Sequence, residues 1–164
     1  MSRILYLVRH AEAEGRQPHQ TDKERELTDH GKQDAIQLGD YLKSINTNIN
    51  LIISSPAHRA LSTAYWVAQQ ISFEMKFILA EECIYSGNTM ELVKLLGTIP
   101  ESVTEIMLVG HYPAIVELYN YLITHESKPT MSTCELCSIN FDIPWSEVTG
   151  GSGFRSTAFY PNSI

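Results

Sequence analysis

Short apolar runs alternate with amphipathic stretches along this chain, and the pattern predicts its elements. Four runs have the length and composition of buried strands, at residues 4–8, 51–53, 73–79 and 105–109. Between them, apolar positions recur at helical spacing in segments that open at or just after Thr28, Pro56, Thr89 and Pro113. The polar stretches 12–26 and 81–88 predict loops. Strands that alternate with helices in this way are typical of an α/β fold.

The last part of the chain follows a different pattern. Two further strands are predicted at 134–143 and 154–160, and the turn-forming residues 150–153 lie between them, as in a closing hairpin. A length of 164 residues favours one domain, over 1–164. We therefore expect a three-layer α/β/α sandwich around a mostly parallel central sheet.

Three junctions between a strand and a helix carry chemically active side chains. Arg9 and His10 end the first strand, Arg59 lies at the start of the helix after the second, and His111 follows the fourth. The carboxyl ends of parallel strands meet at one edge of a sheet, where ligands bind in α/β folds, so these side chains are expected to converge. Two arginines and two histidines suit an oxyanion, above all a phosphoryl group, because the guanidinium fork matches phosphate oxygens and stays charged.

Net charge and cysteine content limit the binding partners and the cellular compartment that the sequence predicts. The formal net charge of −7 argues against a general nucleic-acid binder. No stretch approaches the length of a membrane span and no signal-type segment is present, so we expect no membrane partner. The three cysteines lack a disulfide-framework spacing, which predicts a reducing, cytoplasmic setting. Cys134 and Cys137 form a C-x-x-C in a predicted strand, where odd spacing would point them to opposite faces and prevent shared chelation.

Other hydrolytic chemistries lack their motifs. Metal hydrolysis would require a third ligand beside His10 and His111 in a pattern such as H-E-x-x-H, which is absent, and neighbouring arginines would repel a divalent cation. The chain also lacks a G-x-S-x-G nucleophile elbow and the glycine-rich loops that cradle nucleotides.

Four motifs, in order, resemble the histidine phosphatase (phosphoglycerate mutase-like) superfamily. The run 7–11 is similar to the R-H-G signature, with Ala11 at the third place, and 27–35 is similar to L-T-x-x-G-x-x-Q-A, with Asp34 where glutamine is usual. The runs 54–64 and 109–113 resemble S-S-P-x-x-R-A-x-x-T-A and V-G-H-x-P. The short chain, the R-H-A form and the compact C-terminal hairpin are most similar to the SixA-type branch, the phosphohistidine phosphatases.

The resemblance implies a mechanism and a set of site residues. His10 would be the nucleophile, forming a phosphohistidine intermediate that water hydrolyses, and Arg9, Arg59 and His111 would line the phosphate pocket. Arg25, in D-x-x-R-x-L-T, is similar to a further substrate-binding arginine of the branch. No metal or organic cofactor is implied. Expected partners are a phosphorylated protein, such as a histidine phosphotransfer domain, with free phosphate or sulfate able to occupy the pocket.

The sequence departs from the larger mutases and acid phosphatases at the acid that protonates a leaving oxygen. Residues 85–88 occupy the comparable loop, and Glu81 and Glu82 are weak candidates that read better as solvated carboxylates. An alkoxide needs such a proton, whereas a phosphohistidine can leave as neutral imidazole with a proton it already carries. A phosphohistidine substrate is therefore favoured. The alternatives are a phosphatase of small phosphorylated metabolites and a non-catalytic phosphate-binding module.

Overall fold

A six-stranded sheet lies at the centre of the molecule. The computed structural model describes residues 1–161, so residues 162–164 of the predicted domain lie outside the described residues. The strands are β1 (Arg3–Arg9), β2 (Leu51–Ser54), β3 (Leu79–Ala80), β4 (Glu105–Gly110), β5 (Leu136–Phe141) and β6 (Phe154–Phe159), in the spatial order β3-β2-β4-β1-β5-β6. The pairs among β1 to β4 are parallel, and β5 pairs antiparallel with both β1 and β6. The predicted mostly parallel α/β sandwich and its closing hairpin are confirmed.

Within residues 1–161, five α-helices cover the two faces of the sheet. They are α1 (Asp29–Ser44), α2 (His58–Gln70), α3 (Glu82–Ser86), α4 (Thr89–Gly97) and α5 (Ala114–Leu122). Alternate residues of β1 enter different cores: Leu5 and Leu7 pack with α4 and α5, whereas Tyr6 and Val8 pack with α1 and α2. Among the helices of residues 1–161, none combines the length and the apolar composition that crossing a bilayer demands.

The predicted third strand is largely wrong. Over 73–79 the chain forms a 3₁₀ turn at Met75–Phe77, and only the two residues of β3 pair with β2. Ser72, in the left-handed region at φ 58°, ends the preceding helix and turns the chain onto the outer edge of the sheet. At this edge Met75, Phe77 and Leu79 remain exposed, so their alternation does not mark a buried strand face.

Three further boundaries differ from the sequence prediction. The stretch 81–88, predicted as a loop, contains α3, because Ile84 is buried in the core on the α4 side. Asn88 rather than Thr89 caps α4: its side chain accepts a hydrogen bond from the N–H of Glu91 at 3.1 Å. Residues 12–26 are predicted as a loop throughout, but they include a short 3₁₀ helix over Asp22–Glu24.

The fifth strand begins later than predicted. Cys134 precedes β5 with a left-handed backbone, φ 58°, and its N–H donates to the carbonyl of Arg9 at 3.0 Å. Cys134 packs in the core with α1 and α2, and Cys137 packs in the opposite one. Both thiols are free, and they face different sides of the sheet as expected from the sequence.

Candidate active site

The carboxyl ends of three adjacent strands bring the candidate residues together. In the register of the sheet, Arg9 of β1 pairs with Gly110 of β4, and Ser54 of β2 pairs with Val109. The residue that follows each of these strands therefore lies at the same edge: His10 after β1, Ser55 after β2 and His111 after β4. The ring centroids of His10 and His111 are 5.1 Å apart. The predicted convergence of the two histidines is thus observed.

His10 is held as a neutral ring with one free nitrogen. The imidazole is 9% exposed, and its Nδ1 lies 2.7 Å from the carbonyl oxygen of Ala11. A carbonyl can only accept, so Nδ1 carries the proton and Nε2 carries the lone pair. Burial lowers the pKa of His10 to about 3, and the nearby side chains of His111, Arg59 and Arg9 act in the same direction. At neutral pH the ring therefore has an unprotonated nitrogen suited to nucleophilic attack.

His111 is oriented by a serine that the sequence analysis did not single out. Its Nε2 lies 2.7 Å from Oγ of the fully buried Ser55, and its Nδ1 lies 3.4 Å from Nη2 of Arg59. Since the guanidinium can only donate, Nδ1 accepts and Nε2–H donates to Ser55. Burial, reinforced by the charge of Arg59, lowers the pKa of His111 to about 4. The ring is therefore neutral in the free protein. Ser55 belongs to the S-S-P run, which was the available signal for its role.

The two arginines are anchored in similar ways. Nη1 of Arg9 donates to the carbonyl of Met131 at 2.7 Å, and Nη1 of Arg59 donates to the carbonyl of Asp22, also at 2.7 Å. Within residues 1–161, the buried Nε–H of each arginine has no hydrogen-bond partner. An oxyanion accepts from such donors, and a buried donor left unpaired costs roughly 1–3 kcal/mol. The guanidinium of Arg9 also lies 5.4 Å from the ring centre of the half-exposed Tyr112.

Asp22 is a second residue that the sequence analysis missed. Its carboxylate accepts from Nη2 of Arg59 at 2.9 Å, from the hydroxyl of Tyr85 at 2.8 Å and from Nη1 of Arg25 at 3.2 Å. Partial burial acts to raise the pKa of Asp22, but the hydrogen bonds from Tyr85, Arg59 and Arg25 outweigh it and hold that pKa below its usual range. Its position three residues before Arg25 in D-x-x-R was a signal for it.

Arg25 reaches the site only through other groups of the same loop. Besides Asp22, its Nε donates to the carbonyl of Glu14 at 2.9 Å. The structure therefore places Arg25 beside Asp22, one contact away from Arg59. Its predicted role in binding substrate stays a prediction.

The two candidate acids lie against other groups. Both carboxylate oxygens of Glu82 pair with Nζ of Lys23, at 2.8 and 2.9 Å. Glu81 lines a separate surface groove with Leu51, Leu79 and Leu95. Within residues 1–161, no three side chains of the histidine, cysteine and acidic types are grouped to hold a metal ion.

Comparisons with known proteins agree with this fold. The model of the histidine phosphatase superfamily (branch 1) matches residues 5–82, and no curated protein matches the sequence. The structure of the protein histidine phosphatase SixA complexed with tungstate is 21% identical, with a TM-score of 0.85 over 96% of this chain and 97% of that one.

Two further structures extend the comparison. A protein described as a phosphohistidine phosphatase SixA, from Agrobacterium tumefaciens, is 21% identical with a TM-score of 0.81, over 98% of this chain and 99% of that one. A mycobacterial glucosyl-3-phosphoglycerate phosphatase is 14% identical with a TM-score of 0.67, over 99% of this chain and 100% of that one.

The fold defines the class of protein. This is an α/β protein of the phosphoglycerate mutase-like type, with arginines and histidines at the carboxyl edge of its sheet. Residues 5–82 match the model of the histidine phosphatase superfamily (branch 1), and the SixA structures share the fold of this chain over nearly their whole length.

Proposed function

We propose that this protein is a phosphohistidine phosphatase, which removes a phosphoryl group from a histidine of a partner protein. The observation that carries the proposal is the state of His10. Its Nδ1–H is bound to the carbonyl of Ala11 at 2.7 Å, which leaves the lone pair on Nε2. The ring lies 5.1 Å from that of His111, and Arg59 and Arg9 are near enough to help lower its pKa. A neutral nucleophile surrounded by positive groups suits attack on a phosphoryl group.

The first step transfers the phosphoryl group to His10. Nε2 of His10 attacks phosphorus, the P–N bond of the substrate breaks, and its imidazole departs neutral with the proton that its other nitrogen carries. The guanidinium groups of Arg9 and Arg59 would bind the equatorial oxygens. A bound dianion would raise the pKa of His111, which favours a protonated ring that donates to an oxygen.

The second step releases phosphate. Water attacks phosphorus of phospho-His10, the bond from Nε2 to phosphorus breaks, and both protons of the water stay with the phosphate that is released as H₂PO₄⁻. Since Nδ1 keeps its proton on the carbonyl of Ala11, His10 leaves as the neutral ring that began the cycle. No general acid is required in either step. Glu82 is paired with Lys23, and the pKa of Asp22 is lowered, so both carboxylates favour the ionised form. This supports a leaving group that departs without a general acid.

The partner is proposed to be a protein such as a histidine phosphotransfer domain. The resemblance of the fold to the SixA structure, which is described as a protein histidine phosphatase, supports this choice. We propose that the enzyme acts without a metal or organic cofactor. The free thiols of Cys83, Cys134 and Cys137 support a reducing, cytoplasmic setting.

The test compares two substrates and two variants. We expect a higher kcat/KM on a phosphohistidine carrier protein than on p-nitrophenyl phosphate, and acid-labile phosphate on His10 after quenching. His10→Ala should lose turnover by about 10³-fold or more, as expected when a nucleophile is removed. His125→Ala, an exposed histidine, is the matched control and should keep wild-type turnover.

Each alternative has its own outcome. Faster turnover of the monoester would favour a phosphatase of small metabolites. Tight binding of phosphate without turnover or label would favour a binding module.

A further inference from the structure

We propose that Asp22 is the positioning residue that orients Arg59 toward the bound phosphoryl group. The inference rests on the proposed function, because it takes the space beside His10 to be the phosphate pocket. It assigns a role to a residue of the loop between β1 and α1, outside the strand ends that carry the other groups.

Asp22 binds both terminal nitrogens of Arg59. Nη1 donates to its backbone carbonyl at 2.7 Å and Nη2 donates to its carboxylate at 2.9 Å. Arg59 is only 5% exposed, so its guanidinium has little water to bind instead. Its Nη2 also lies 3.4 Å from Nδ1 of His111. By holding both terminal nitrogens, Asp22 fixes the orientation of the guanidinium beside His111.

The loop that carries Asp22 is itself well fixed. The N–H and hydroxyl of Thr21 donate to the carboxylate of Glu24 at 2.7 and 2.8 Å, which closes a turn around Asp22. The hydroxyl of Tyr85, from α3, donates to the same oxygen of Asp22 that Arg59 binds. The ring of Tyr85 meets His111 edge-on, with the centroids 5.4 Å apart. Asp22 therefore links the loop, α2 and α3 at the wall of the pocket.

A positioning role and a purely electrostatic effect of Asp22 predict opposite changes in anion affinity when Asp22 is removed. Asp22 is an anion next to a site for an anion, so its charge alone opposes phosphate binding, and removing that charge should tighten binding. If Asp22 instead orients Arg59, its removal lets the guanidinium turn away and binding weakens. The sign of the change in affinity separates the two.

The experiment measures tungstate binding by calorimetry, independently of turnover. We expect Asp22→Ala to raise the Kd for tungstate by about tenfold or more. The variant lacks the charge-assisted hydrogen bond by which the carboxylate of Asp22 orients Arg59. Asp22→Asn keeps an acceptor for Arg59 and Tyr85 and should lie between Asp22→Ala and wild type. Asp29→Asn, which removes the same charge at a fully exposed side chain, is the control and should stay within about twofold of wild type.

A second background tests whether the effect passes through Arg59. In an Arg59→Gln protein, adding Asp22→Ala should no longer weaken tungstate binding and should tighten it, because only the repulsion by the carboxylate is then removed. A role in loop stability alone would weaken binding in both backgrounds. Thermal unfolding checks that each variant is folded. If Asp22→Ala does not fold, Asp22→Asn is compared in the wild-type and Arg59→Gln backgrounds instead.

The outcomes separate this inference from the proposed function. Tungstate binding by Asp22→Ala that is equal to wild type or tighter overturns the positioning role, and so does an equal loss in the Arg59→Gln background. Wild-type protein that binds tungstate but does not hydrolyse phosphohistidine overturns the proposed function alone. Wild-type protein that binds no tungstate overturns both.

Discussion

Acid is expected to destabilise the protein steeply below about pH 6.5, because the two histidines of the site are buried as neutral rings. The pKa is lowered to about 3 for His10 and to about 4 for His111, whereas both side chains titrate near 6.5 in an unfolded chain. Their contribution to stability is complete above that unfolded value. It is lost as the pH falls toward the folded values, since the unfolded chain then binds protons that the native state does not.

The magnitude follows from the number of protons taken up on unfolding. One extra proton changes the free energy of unfolding by about 1.4 kcal/mol per pH unit, so two histidines together contribute a slope of about 2.7 kcal/mol per pH unit below the unfolded pKa. A domain with an ordinary stability of about 5–15 kcal/mol would lose a large share of it within two pH units.

Urea unfolding followed by circular dichroism, at intervals between about pH 7 and pH 4.5, measures this slope. Carboxylates titrate in the same range, but they are common to all variants, so the comparison with His10→Gln and His111→Gln isolates each ring. Each glutamine variant should show a slope shallower by about 1.4 kcal/mol per pH unit. His125→Gln, on an exposed loop, should keep the wild-type slope. Equal slopes for wild type and His10→Gln would refute the account of His10 as a ring kept neutral by burial.

Three other predictions follow from the same contacts. Ser55→Ala leaves the buried Nε2–H of His111 without its acceptor, so we expect a loss of about 1–3 kcal/mol in urea unfolding and slower turnover; wild-type values for both would contradict the geometry. Gly31→Ala should lower the Tm, because its Cβ would lie 2.1 Å from the carbonyl oxygen of Glu12, whereas Gly97→Ala, with no atom within 4 Å, should not. Phosphate binding should be accompanied by proton uptake at His111, because a bound anion raises the lowered pKa of that ring. Calorimetry in buffers with different ionisation enthalpies measures the proton uptake. Binding heats that do not depend on the buffer would exclude protonation of His111.

The sequence was least informative at the outer edge of the sheet. The apolar run over 73–79 predicts a strand, yet β2 pairs with only Leu79 and Ala80 of this edge. Conversely, the polar stretch 81–88 gives little sign of a helix, and the burial of Ile84 under the sheet decides its structure. Local pattern reports which side chains are apolar, whereas tertiary packing decides which of them are covered.

The sequence by itself determined the alternation of strands and helices and the placement of Arg9, His10, Arg59 and His111 at strand–helix junctions. Those follow from periodicity and from the rule that the ends of parallel strands share one edge of the sheet. Only the tertiary structure decided how each group is held. Arg9 is anchored by Met131, which lies 122 residues further along the chain, and Arg59 by Asp22, 37 residues before it. A backbone carbonyl carries no sequence signal, so the orientation of both arginines depends on how distant loops pack against the site.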